Sequence, residues 1–182
     1  MRSVVGCDRQ SSFSIRRAEG TAATVFTFRY DPSSMQIAIV GAGDCSAEEY
    51  EAAETAGYLI AGNHETLVCG GLGGVMEAAC RGAKEAGGTT VGILPGTGGE
   101  NPYLDVVIRS NLGHARNALV VGSADAVIAI GGKFGTLSEI ALALKMKKAV
   151  FGVGTWKIEG VFPCATPEEA VLMAVRASRL SR

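Results

Sequence analysis

Two glycine-rich turns, Cys69-Gly70-Gly71-Leu72-Gly73-Gly74 and Ile130-Gly131-Gly132-Lys133-Phe134-Gly135-Thr136, each leave a short apolar, β-branched run and open a segment of helical periodicity. Both read as strand-to-helix turns, which confines the chain to folds in which strands and helices alternate. A glycine turn at a helix start lets backbone N–H groups and the positive end of the helix dipole approach an anion with no Cβ in the way. Either turn alone equally fits a close-packed structural corner. Two in one small domain point to one phosphate-bearing ligand.

A chain of 182 residues is about one domain long, and 47% hydrophobic residues are ample for a buried core. With 17 Lys and Arg against 18 Asp and Glu there is no broad basic field, so neither nucleic acid nor a membrane surface is expected as partner. A phosphate must be held by local groups. The five cysteines, Cys7, Cys45, Cys69, Cys80 and Cys164, are odd in number and form no C-x-x-C pair, which fits neither a disulfide framework nor a zinc site. Reduced thiols, a cytoplasmic location and no directly bound metal are expected. The apolar runs fall far short of the roughly 20 residues of a membrane span, and no signal-peptide h-region is present.

Residues 1–34 are rich in Ser, Arg and Thr and read as a poorly ordered extension, with a candidate strand over 25–30 and Met35 as a candidate start of translation. Residues 35–182 read as a single α/β domain, a mostly parallel sheet with helices on both faces. Strands are expected over 37–40, 66–69, 89–94, 105–109, 125–130 and 149–153, and helices over 48–61, 75–86, 114–121 and 137–146. A last helix starts at Thr166-Pro167-Glu168-Glu169, with Thr as cap and Pro at the first helical position. Ser46 and Glu49 form a capping-box pattern for the first helix. Right-handed crossovers place both glycine turns, together with Gly41 and the Pro95-Gly96 loop, on the carboxyl edge of the sheet, where ligands bind.

Several side chains near that edge bear on chemistry. Lys133 is either the local positive charge for a phosphate or a solvated lysine. Thr136 offers a hydroxyl at a helix start, where capping is its ordinary task. Thr136-x-x-Glu139 is itself a capping-box spacing, and on local sequence that structural role is the favoured one for Glu139. Arg116 on its own reads as a helix-face arginine. His64 reads as a solvated turn residue and His114 as a neighbour of the pocket; they do not make a metal set. Neither stands near a nucleophile in an activating arrangement.

The stretch Gly113-His114-Ala115-Arg116-Asn117, then 125–130, then Gly131-Gly132-Lys133-Phe134-Gly135-Thr136-Leu137-Ser138-Glu139 resembles the cytokinin-activating phosphoribohydrolases of the lonely guy family, often mislabelled lysine decarboxylases. Their motif reads P-G-G-x-G-T-x-x-E. Gly70, Gly71, Gly74, Val75 and Met76 are similar to that family's other glycine motif. The resemblance implies a Rossmann-like sheet and cleavage of a nucleoside 5′-monophosphate into base and ribose 5-phosphate, with Arg116 and Glu139 as the catalytic pair. This sequence departs from the pattern at Gly131, where the family has proline, at Lys133, where it has glycine, and at Asn117, where a lysine is usual.

Residues 82–96 and 139–145 are closer to a sister group, the molybdenum-cofactor carrier proteins, which bind a phosphorylated pterin. The longer match lies there, so the preferred reading is a binding protein for molybdenum cofactor (molybdopterin) or a nucleotide, with the hydrolase as alternative. Gly41, Gly70, Gly71, Gly73, Gly74, Pro95, Gly96, Gly131, Gly132, Lys133, Gly135 and Thr136 are the expected ligand-binding positions. The resemblance also implies a homodimer or homotetramer. A DNA-processing relative of the same superfamily is disfavoured by the neutral charge balance.

Overall fold

The computed structural model describes residues 12–13, 28–29 and 34–180. They fall into two units, Met1–Ser34 and Met35–Arg182. In the first, β1 (Ser12–Phe13) pairs antiparallel with β2 (Phe28–Arg29), which lies within the 25–30 run expected as strand. The rest of the 1–34 stretch expected to lack order, Cys7 included, lies outside the described residues.

The second unit alternates strand and helix as its hydrophobic pattern dictates. In chain order it runs β3 (Gln36–Gly41), α1 (Ala47–Gly62), β4 (Thr66–Cys69), α2 (Val75–Glu85), β5 (Thr90–Leu94), β6 (Val106–Arg109), a 3-10 turn (Gly113–Arg116), α3 (Asn117–Ser123), β7 (Ala126–Ile130), α4 (Phe134–Lys145), β8 (Ala149–Val153), β9 (Val161–Cys164) and α5 (Pro167–Leu180). The seven strands form one sheet in the order β6-β5-β4-β3-β7-β8-β9, every neighbouring pair parallel. This is an α/β, Rossmann-like domain.

Side-chain alternation along the central strand builds both layers. Ile37 and Ile39 enter a core with α1, α2 and α5, whereas Ala38 and Val40 enter a second core with α3 and α4. A parallel strand covered on both faces must be apolar throughout, which is why β3 and β7 read as unbroken runs. On the first face, α1 and α2 meet at Gly57 and Gly82. A Cβ on Gly57 would strike the Ala79 carbonyl oxygen, and one on Gly82 the carbonyl oxygen of Glu54. The Ser46–Glu49 capping box is formed, with Glu49 N–H donating to Ser46 Oγ at 3.1 Å and Ser46 N–H to Glu49 Oε2 at 2.9 Å.

Three features differ from the sequence reading by more than a residue or two, the first being that the helix expected over 114–121 is a 3-10 turn over Gly113–Arg116 followed by α3 from Asn117. β9 is a seventh strand that the pattern did not announce. It is four residues long, contains Pro163, and lies at the sheet edge, where a missing N–H costs no ladder bond. The helix after the second glycine turn begins at Phe134, three residues earlier than expected, with consequences at the site.

Candidate functional site

Because β4 and β7 both run parallel to β3 and flank it, the two glycine turns emerge on one edge of the sheet, about 10 Å apart at two strand spacings. Strand order reverses between β3 and β7, so this edge is the topological switch point.

The first turn is seated by close backbone approach. Gly74 has φ +64°, and a Cβ there would strike the Ala42 carbonyl oxygen; the Val75 N–H donates to that same oxygen at 3.0 Å. The Val75 side chain in turn occupies the space above Gly41. Gly41 and Gly74 therefore serve packing. The Gly71 N–H donates to Cys69 Sγ at 3.3 Å. Thus Gly71, an expected ligand-binding position, and Val75 have committed their N–H groups, whereas those of Leu72, Gly73 and Gly74 have no partner among the described residues.

Arg116 ends the 3-10 turn that follows β6. That turn is anchored by the Gly113 N–H donating to the Pro95 carbonyl at 2.9 Å, so Pro95 positions the arginine. The side chain runs inward, and the residue is only 7% exposed. It is not a helix-face arginine. Its guanidinium takes the space that a Cβ on Gly70 would fill. Nε and Nη1 are buried and have no hydrogen-bond partner among the described residues. Burial holds the guanidinium below its usual pKa, and the charges of Glu139 and Cys69 partly offset that.

Glu139, on α4, is 6% exposed. It does not cap its helix. Since α4 starts at Phe134, Glu139 lies beyond the first turn, and Thr136 is a residue of the helix whose buried Oγ1 has no partner among the described residues. The capping-box spacing was matched without the helix boundary it needs. Burial pushes the Glu139 carboxyl up to about 7, against the pull of Arg116. Arg116 and Glu139, expected as a pair, do approach one another through charge, but no ion pair or hydrogen bond joins them.

The second turn carries two of the three departures from the family motif, Gly131 and Lys133. Gly131 has φ +51°, which a proline ring forbids, and a Cβ there would collide with Glu49 Oε1. Gly132, at φ +101°, is covered by the Thr136 side chain. Lys133, the residue preceding α4, donates to Asp44 Oδ2 at 2.9 Å with its side chain 69% exposed. This bond raises the Lys133 pKa and lowers that of Asp44. The loop after β3 and the first turn of α1 thus bring two carboxylates, Asp44 and Glu49, to the turn expected to receive an anion. The donors open to an anion here are the first-turn N–H groups of α4; the Thr136 hydroxyl is buried. Around Gly96 and Gly135 the space is open. Gly73 is roomy, its nearest neighbour Glu77 Oε2 lying 3.6 Å from where a Cβ would sit.

Sequence reasoning missed Asp44 altogether and saw Glu49 only as a cap. It also missed Trp156, whose indole Nε1 is buried without a partner, and the 3.5 Å approach of Cys69 and Cys80. A single tryptophan in a loop carries no periodic signal, and the cysteine approach depends on the helix returning over the strand. His114 is exposed. Among the described residues no group of three or more His, Cys, Asp and Glu is placed to hold a metal ion, and no helix is long and apolar enough to cross a membrane.

Residues 34–179 match the model of the SLOG cluster4 family. The chain belongs to that family. A relative from Archaeoglobus fulgidus, described as an uncharacterized protein, is 47% identical over 146 residues, covering 79% of this chain and 97% of the relative. Among solved structures, the molybdenum cofactor binding protein of the phototrophic bacterium Rippkaea orientalis is 35% identical, with TM-score 0.74 over 77% of this chain and 94% of its own. The molybdenum cofactor carrier protein of Chlamydomonas reinhardtii is 33% identical, with TM-score 0.75 over 82% of this chain and 100% of its own. These likenesses agree with the resemblance carried by the motif residues. In this SLOG cluster4 member the buried arginine, the first glycine turn and the start of α4 share one sheet edge.

Proposed function

We propose that the chain binds a small phosphorylated ligand at the switch point and serves as a carrier of molybdenum cofactor, its phosphate meeting Arg116, the free N–H groups of the first turn and the start of α4. The observation that carries this reading is Arg116, a buried guanidinium with Nε and Nη1 unpartnered. Unsatisfied buried donors cost about 1–3 kcal/mol each, more when charged, and an anion would relieve that. Glu139, held mostly protonated below about pH 7, does not repel the incoming phosphate there. The cofactor-binding and carrier relatives support the choice of cargo. Mass spectrometry of the native protein tests it: a phosphorylated pterin should copurify. A nucleotide in its place would redirect the reading. Assembly as a homodimer or homotetramer is part of the proposal and is checked by sedimentation equilibrium.

The burial of Glu139 near Arg116 favours hydrolysis as a second reading. A carboxyl that burial pushes up to about 7 near an arginine suits general acid–base work on a glycosidic bond. Wild type incubated with adenosine 5′-monophosphate should nonetheless release little or no free adenine. Robust release that collapses in Glu139→Gln would promote the hydrolase over the carrier.

A further inference from the structure

On the far side of β7 from the first glycine turn, the loop joining β8 to β9 roofs a cavity of about 670 Å³ lined by Gly152, Gly154, Trp156, Ile158, Val161 and Cys164, among others. Pockets for small organic ligands are typically about 300–1,000 Å³, mostly apolar, with a few placed polar groups. This one has such a group. The Trp156 indole Nε1 is buried with no partner among the described residues, and an indole N–H can only donate. Lys157 and Glu159 also line the cavity and bring further polar groups of both signs.

The cavity adjoins the second glycine turn. Thr155 Oγ1 donates to the Gly131 carbonyl at 2.5 Å, and the Trp156 ring lies 6.0 Å from that of Phe134 at a tilt of 33°. Phe134 is 79% exposed, so the aromatic wall extends from the cavity to the first residue of α4. Gly154, at φ +59°, has nothing within 4 Å of where a Cβ would point. We propose that this cavity seats the planar ring system of the ligand, a fused nitrogen heterocycle of the pterin or purine class, with its edge towards Trp156 and accepting a hydrogen bond from the indole N–H. Such rings present carbonyl oxygens or ring nitrogens in their plane, where an indole N–H can meet them. The placement rests on the phosphate reading above, since the ring would lie here because the phosphate lies at the neighbouring switch point.

Trp156 is the chain's single tryptophan, so its fluorescence reports this cavity alone. Wild type is titrated with neopterin monophosphate, adenosine 5′-monophosphate, ribose 5-phosphate and free pterin, and affinities are measured by calorimetry for wild type and Trp156→Phe. Both phosphorylated ring compounds should change the emission, and ribose 5-phosphate should bind without doing so. Trp156→Phe, which keeps a ring but lacks the donor, should weaken the ring compounds by about 5- to 20-fold, as expected for one hydrogen bond, and leave ribose 5-phosphate unchanged. Ring compounds that bind with neither an emission change nor sensitivity to Trp156→Phe would overturn the placement and leave the phosphate reading intact. Free pterin that alters the emission while ribose 5-phosphate fails to bind would overturn the phosphate reading and keep the ring pocket. Failure of all four compounds to bind overturns both.

Discussion

Arg116 is a residue whose environment makes sense only with something added. Its partners within the protein are Glu139 at a distance and the bare backbone of Gly70, while two of its nitrogens are buried without acceptors. Arg116→Ala should therefore weaken a phosphorylated ligand by about 1.5–3 kcal/mol, the worth of hydrogen bonds to a charged group, while leaving the melting temperature of the free protein unchanged or raised. Calorimetry and thermal melts read the two effects separately, and a large loss of stability would recast Arg116 as a structural residue. Lys133→Ala provides the contrast. Its side chain is exposed and already paired with Asp44, so affinity should change by less than about twofold at ordinary salt. The sequence placed both cations at the same edge; only folding distinguishes the one that turns inward.

The glycine turns show what an element's sequence discloses and what it withholds. Strand, turn and helix were legible at both because apolar runs, glycines and helical periodicity are local signals. Which glycine faces a ligand and which faces the chain's own backbone depends on neighbours distant in sequence. Gly70 abuts the movable end of the Arg116 side chain, whereas Gly74 abuts the backbone of Ala42 and Gly43 at positive φ. Gly70→Ala should thus push the guanidinium aside, keeping the fold and impairing phosphate binding at least as much as a modest loss of hydrogen bonding, about tenfold. Gly74→Ala should lower stability by more than about 1 kcal/mol, since the backbone there cannot yield. Circular dichroism melts that rank the two variants the other way round would contradict this assignment. The start of α4 was misread for the same reason: Thr136 and Glu139 match a capping box, but the helix already begins at Phe134.

At the scale of the whole molecule, sheet order was not written in any segment, yet it alone sets two glycine turns, one arginine and one glutamate at a common edge. The resulting enclosure also gives the fold a pH dependence. Unfolded, Glu139 releases its proton near the ordinary glutamate value of 4.5; folded, burial holds the proton to about 7. Between those values the native state binds more protons than the unfolded state, so stability falls as pH rises. The contribution is fully present below about 4.5 and lost by about 8, a swing on the order of 3 kcal/mol. Glu139→Gln removes this ionisation while keeping size and a polar head. The variant should match wild type near pH 5 and melt several degrees higher near pH 8, since other titrating groups act alike in both proteins. Denaturation at the two pH values measures the difference directly, and parallel behaviour of the two proteins would mean that Glu139 ionises in the folded state as it does in water.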